Sequence, residues 1–146
     1  MKKILLMLSL VFAISLLVAC TVDTSATTSA NWSKSVDGVT ECGGTVNGVP
    51  YKAISMFMED PTVEEIDNFI EGKVSEGYDI ALAIFLAPNV QFRIEMDVDK
   101  GYTSENAQWF VNELVRKAEA AGEYDDDMFV ETVKEFMEAE PVGIAE

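Results

Sequence analysis

The succession of apolar and turn residues predicts an α+β fold. The expected domain has two layers, an antiparallel sheet in the order ββαββαα with its helices packed on one face. Three observations lead there. An Asn-Gly pair lies between valines, which marks a two-residue hairpin. Two later segments alternate apolar residues with period two, and three others place them at helical spacing.

The folded domain is expected from residue 36 to 146, because Thr21 to Ser35 is rich in Thr, Ser, Ala and Asn and has no apolar face. In Val46-Asn47-Gly48-Val49 the Asn-Gly pair supplies the positive φ that a type I′ turn needs at both central positions. Register follows from that turn. Val46 faces Val49, Gly44 faces Tyr51, and Cys42 faces Ala53, so the Tyr51 ring can cover a bare glycine. Pro50 lacks an N–H, and that is harmless only where its end of the strand is an edge. The strand continues through Ile54, Met56 and Met58.

Thr62 and Glu65 have capping-box spacing, and Val63, Ile66, Phe69, Ile70 and Val74 form the stripe of a helix that Gly77 stops. The next strand, Tyr78 to Ala87, is apolar on both faces and belongs inside a sheet. Val90, Phe92, Ile94, Met96 and Val98 then alternate with Gln91, Arg93, Glu95, Asp97 and Asp99, a strand with one wet face. A three-residue loop pairs Leu86 with Val90, Ile84 with Phe92 and Leu82 with Ile94. A two-residue loop would split the large side chains between faces. A second helix runs from Thr103 to Gly122 on Ala107, Phe110, Val111, Leu114 and Ala118. A third follows Asp125 to Asp127, whose charges suit a helix N-terminus, and ends before Pro141.

The chain of 146 residues carries 26 acids, 10 bases and no His, for a formal charge of −16. Nucleic acid is excluded as a partner, since it is bound mainly by cations meeting phosphates. The same charge opposes lying flat on an anionic bilayer. Membrane attachment must come from a greasy anchor, and the N-terminus supplies one. Met1-Lys2-Lys3, the apolar run Ile4 to Val18, and Leu17-Val18-Ala19-Cys20 together resemble the signal peptide and lipobox of bacterial lipoproteins. That resemblance implies removal of residues 1–19 and acylation of Cys20 by a diacylglycerol thioether and an amide-linked chain. Several chains anchor lastingly, whereas one is marginal. An uncleaved transmembrane helix is the competing reading, but the run falls short of the ~20 residues needed to span. Residues 20–35 are then a lipidated Cys and a flexible tether reaching about 20 Å. Thr21 after the cysteine, by the same resemblance, permits export to an outer membrane where the host has one.

Val90-Gln-Phe-Arg-Ile-Glu-Met-Asp-Val-Asp99, Gly101-Tyr-Thr-Ser-Glu-Asn106 and the helix bearing Trp109, Phe110 and Leu114 resemble the last strand and helix of YbjN-type bacterial sensory domains. A strand ending in Ile54-Ser-Met-Phe and a helix through Ile66-Asp-Asn-Phe69 precede them in the same order. Those domains share the fold of type III secretion chaperones. The resemblance covers roughly residues 38–121, and implies a domain that binds proteins or peptides, often pairs with itself, and has no catalytic residues to carry over.

The residues themselves offer little chemistry. Without His the commonest general base and metal ligand is missing, and no nucleophile elbow, P-loop or dinucleotide fingerprint is present. Glu95 and Asp97 stand about 7 Å apart on one strand face, a separation suited to carboxylate-based glycoside hydrolysis. Alternation gives the same spacing on any solvated strand face. Asp97, Asp99 and Glu105 offer oxygens for calcium, yet an EF-hand frame begun at Asp97 puts Tyr102 at its glycine and Gln108 at its bidentate position. A looser site could draw on Asp125 to Asp127. Cys42, the thiol left once Cys20 is acylated, is either an intermolecular or reactive sulfur or a small buried hydrophobe. Met56, Met58 and Met96 fall on strands, where they either line an adaptable groove or fill the core. The glycine-interrupted hairpin also invites strand addition.

These readings converge on a lipid-anchored envelope protein, with no enzymatic activity and no cofactor. Its acidic domain is expected to bind a protein or peptide that carries a basic patch, through Tyr51, Met56 and Met58. The alternatives are a calcium-responsive domain using Asp97, Asp99 and Glu105, or a carboxylate hydrolase.

Overall fold

Two turns of one chemistry build the N-terminal half of the sheet. In the computed structural model, which describes residues 28–139 and side chains from residue 31, Asp37-Gly38 and Asn47-Gly48 both take positive φ, at 51° and 80° and at 53° and 82°. They join β1 (Thr28–Val36), β2 (Val39–Val46) and β3 (Val49–Phe57). After these come α1 (Val63–Ser75), β4 (Ile80–Leu86), β5 (Val90–Met96), a 3-10 turn (Val98–Lys100), α2 (Ser104–Ala121) and α3 (Asp126–Ala139). The class is α+β, as the sequence predicts. The expected signal peptide, the expected acylation site Cys20, the expected tether up to residue 27 and the expected stop at Pro141 lie outside the described residues.

The strands follow chain order across the sheet, β1-β2-β3-β4-β5. Both predicted registers hold. Val46 pairs with Val49, Gly44 with Tyr51 and Cys42 with Ala53, while Leu86 pairs with Val90, Ile84 with Phe92 and Leu82 with Ile94. Pro50 is tolerated because the β3–β4 ladder begins only at Ala53.

Three expectations need correction. First, β1 starts at Thr28, inside the segment read as tether, so the domain begins before residue 36. Periodicity missed it because β1 is an edge strand with Trp32 and Val36 left exposed, and it packs by side chains that replace missing ones on β2. A Cβ added to Gly43 would stand 2.9 Å from the Trp32 ring, and one on Gly44 would strike the Asn31 amide oxygen. Second, the sheet is mixed, since β3 and β4 run parallel. Parallel neighbours need a crossover, and α1 provides it. Third, helices cover both faces. Ile80, Leu82, Ile84, Ala53 and Met96 pack on one side against Phe110 and Leu114 of α2 and Phe129, Val133 and Phe136 of α3. Ala81, Ala83 and Ile54 pack on the other against Ile66 and Ile70 of α1. A strand apolar on both faces required such an arrangement.

The helix ends follow local chemistry. Thr62 and Glu65 close a capping box on α1, with Thr62 N–H donating to Glu65 at 2.8 Å. Thr103 and Asn106 do the same on α2, which ends at Gly122 in the left-handed region. The Asp125 carboxylate accepts the Asp127 N–H at 2.7 Å where α3 begins.

Candidate functional site

The far end of β3 ends in a run of constraints. Phe57 N–H donates to Gly38 O at 2.9 Å and Met58 N–H to Ile84 O at 2.8 Å, which keeps the chain in the sheet. Asp60 then turns it at φ 47°, and Pro61 and the Thr62 cap launch α1. Between that turn, the Asp37-Gly38 hairpin and the first turns of α1 lies a groove of about 720 Å³. Half-buried Met56, Met58, Pro61 and Phe69 line it, with Phe57 at its margin. Exposed Asp37, Glu59 and Glu65 stand around them, and no Lys or Arg is among the lining residues.

Those three carboxylates take part in no ion pair among the described residues, and most of the cations are engaged elsewhere. Lys34 pairs with Glu41 at 3.4 Å, Arg93 with Asp67 at 2.8 Å, Lys100 with Asp79 at 3.1 Å and Arg116 with Glu113 at 2.8 Å. Lys117 is clamped between Glu131 and Glu135, Lys73 sits by Glu76, and Lys52 lies 4.4 Å over the Tyr78 ring. The result is an apolar hollow with uncompensated negative charge around it. Such a surface suits a ligand that brings its own cation.

Of the predicted partner-binding residues, Met56 and Met58 come together here. Tyr51 does not. Odd and even positions of a strand point to opposite faces, so Tyr51 lies on the α2–α3 side, half-buried against the core, where its hydroxyl donates to Asn31 at 3.3 Å. It covers Gly44, as its register predicts. Met96 is buried in the core on that same side.

Asp97, Asp99 and Glu105 are not gathered into a metal site. Among the described residues no group of three potential ligands converges. Asp97 instead caps the 3-10 turn, its carboxylate accepting Asp99 N–H at 3.0 Å, while Glu105 lies in the first turn of α2. Glu95 and Asp97 do not share a strand face, since β5 ends at Met96. Cys42 is free and buried, and loss of solvent pushes its thiol up to about 12. A disulfide to a second copy would first require opening the domain.

Sequence reasoning missed Asp37, Phe57, Glu59 and Phe69 as a set, because their neighbourhood depends on how the crossover folds back. It also missed Asp79, a buried carboxylate that accepts Lys52 N–H at 2.9 Å and the Tyr102 hydroxyl at 3.3 Å. Asp79 ties β3 to the turn after β5, where it serves architecture. The available signal for Asp37 is the Asp-Gly pair between Val36 and Val39, equivalent to the Asn-Gly pair between Val46 and Val49. Comparison with family models, with curated proteins and with solved structures finds no match to this chain.

Proposed function

We propose that this chain is a membrane-anchored lipoprotein, held in the cell envelope by acylated Cys20, whose domain binds a protein or peptide partner in the groove at the end of β3. One observation carries the reading: a floor of Met56, Met58 and Phe69 coincides with a rim of carboxylates that no cation of the described chain neutralises. Methionine is unbranched and polarizable, so such a floor adapts to varied apolar side chains. The rim favours basic partners and raises their rate of encounter, an effect that salt screens. A binding role also agrees with what the likeness to YbjN-type sensory domains implies.

The test is capture. The chain from residue 21 onward, immobilised and exposed to envelope extract at low and high salt, is expected to retain a basic partner at low salt. The Met56→Lys variant is expected to lose it. No partner at either salt, or one retained equally by the variant, counts against this reading.

A further inference from the structure

Phe57, 42% exposed at the end of β3, belongs to two hollows at once. On the α1 side it borders the groove described above. On the α2–α3 side it borders a second hollow of about 460 Å³, lined also by Ile84, Val90, Tyr124, Asp125 and Asp126. The two hollows therefore meet around the end of one strand, and share a design. Each combines apolar side chains with carboxylates, and neither is lined by Lys or Arg. Asp125 and Asp126 join no ion pair among the described residues either.

The second hollow has further unmet needs. The Tyr124 hydroxyl is buried without a hydrogen-bond partner in the described structure, so its oxygen is open to accept from a cationic N–H. Asp126 receives a hydrogen bond from Thr40, yet burial holds its carboxyl above the usual range. A cation there would relieve that cost, and an aromatic face beside it would add attraction.

We propose that the partner is an extended peptide segment with two basic side chains flanking an apolar stretch, which straddles Phe57 and places one cation in each hollow. This inference rests on the binding function proposed above, and adds the ligand's charge pattern and a second subsite. Charge complementarity selects the occupant. Anionic lipid is repelled by a chain of charge −16, and the apolar floor of the first hollow is wasted on a bare polyamine.

The test uses the full chain in nonionic detergent and dye-labelled peptides read by fluorescence anisotropy. Each peptide carries two arginines separated by one to six alternating Leu and Ser residues; controls carry one arginine or two glutamates. The expected result is an optimum spacing at which the doubly basic peptide binds at least tenfold tighter than the singly basic one, and no binding of the acidic control. Replacing Asp125→Asn and Asp126→Asn together is expected to reduce the doubly basic peptide to the singly basic level. Met56→Lys and, at an exposed position, Glu59→Lys are expected to weaken both, with folding of each variant checked by circular dichroism. Sensitivity to Met56→Lys and Glu59→Lys without any spacing optimum or effect at Asp125 and Asp126 would overturn the straddling mode and leave the single groove standing. Spermidine displacing the peptide at equal concentration overturns the assignment to a peptide. Absence of all peptide binding overturns this inference, while partner capture through Met56 tests the groove separately.

Discussion

The two faces of the sheet use the same strands to different ends. Toward α2 and α3, β4 presents Ile80, Leu82 and Ile84, and these meet Phe110, Phe129 and Phe136, all essentially without exposure to solvent. Toward α1, the same strand presents Ala81 and Ala83, and only Ile66 and Ile70 of the helix are buried on them. Large side chains interdigitate across the first interface, whereas small ones let α1 lie close to the second and leave Phe69, Met56 and Met58 half-covered beyond it. The thick face supplies stability. The thin face gives up burial and gains a hollow.

The largest test of that contrast is Phe136→Ala. Phe136 touches the rings of Tyr102, Trp109 and Phe110 with centroids 5.9, 5.7 and 6.2 Å away. Its removal is expected to cost about 3–5 kcal/mol in urea unfolding. Ile70→Ala, on the thin face, is expected near the low end of the roughly 2–5 kcal/mol range for such truncations. Equal losses at the two positions would erase the distinction. Thr62→Ala removes one half of the capping box at the mouth of the groove and is expected to lower stability by about 1 kcal/mol. Peptide binding should weaken with it only as far as the first turn of α1 frays.

The smallest effect near neutral pH lies in the buried titrating groups, and it grows in alkali. Burial raises the Cys42 thiol from 9.0 to about 12 and, with Glu41 beside it, the Tyr78 phenol from 10.0 to about 12. Burial raises Tyr51, Tyr102 and Tyr124 as well. A group whose proton is held more tightly in the folded state stabilises fully below its unfolded pKa, and loses that contribution as pH climbs toward the folded value. Melting temperature should therefore fall progressively from about pH 9 upward, and Cys42→Ala should flatten the first part of the fall. At pH 8 a thiol reagent should label Cys42 in urea and leave it nearly untouched in buffer. Rapid labelling of the folded chain would show that the thick face opens locally.

What the sequence reveals depends on how local the cause is. Both hairpin registers, the capping box at Thr62 and the stop at Gly122 were legible because each rests on a few adjacent residues of fixed backbone preference. The doubly apolar β4 announced its interior place. It was also the warning that one layer of helices would not suffice, a consequence that ββαββαα order alone did not force. β1 stayed hidden because an exposed edge needs no apolar stripe, and its packing on Gly43 and Gly44 is a contact across strands. Met56 and Met58 are legible as strand methionines, but the two-residue period of a strand separates their face from that of Tyr51. Phe69 and Glu59 join them only after the crossover returns, a long-range event that no window of sequence contains.

The position of β1 has a mechanical meaning. Its nine residues span about 30 Å, from the side of the chain that leads back to Cys20 to the Asp37 hairpin at the groove. In the proposed arrangement, tension between a lipid anchor and a captured partner is carried lengthwise along the covalent backbone of this strand. Had the groove lain at the Asn47-Gly48 end, the same pull would pry β1 from β2 one pair at a time, starting at Thr28 and Val46. A tethered receptor built in the first way can be tugged without being unzipped.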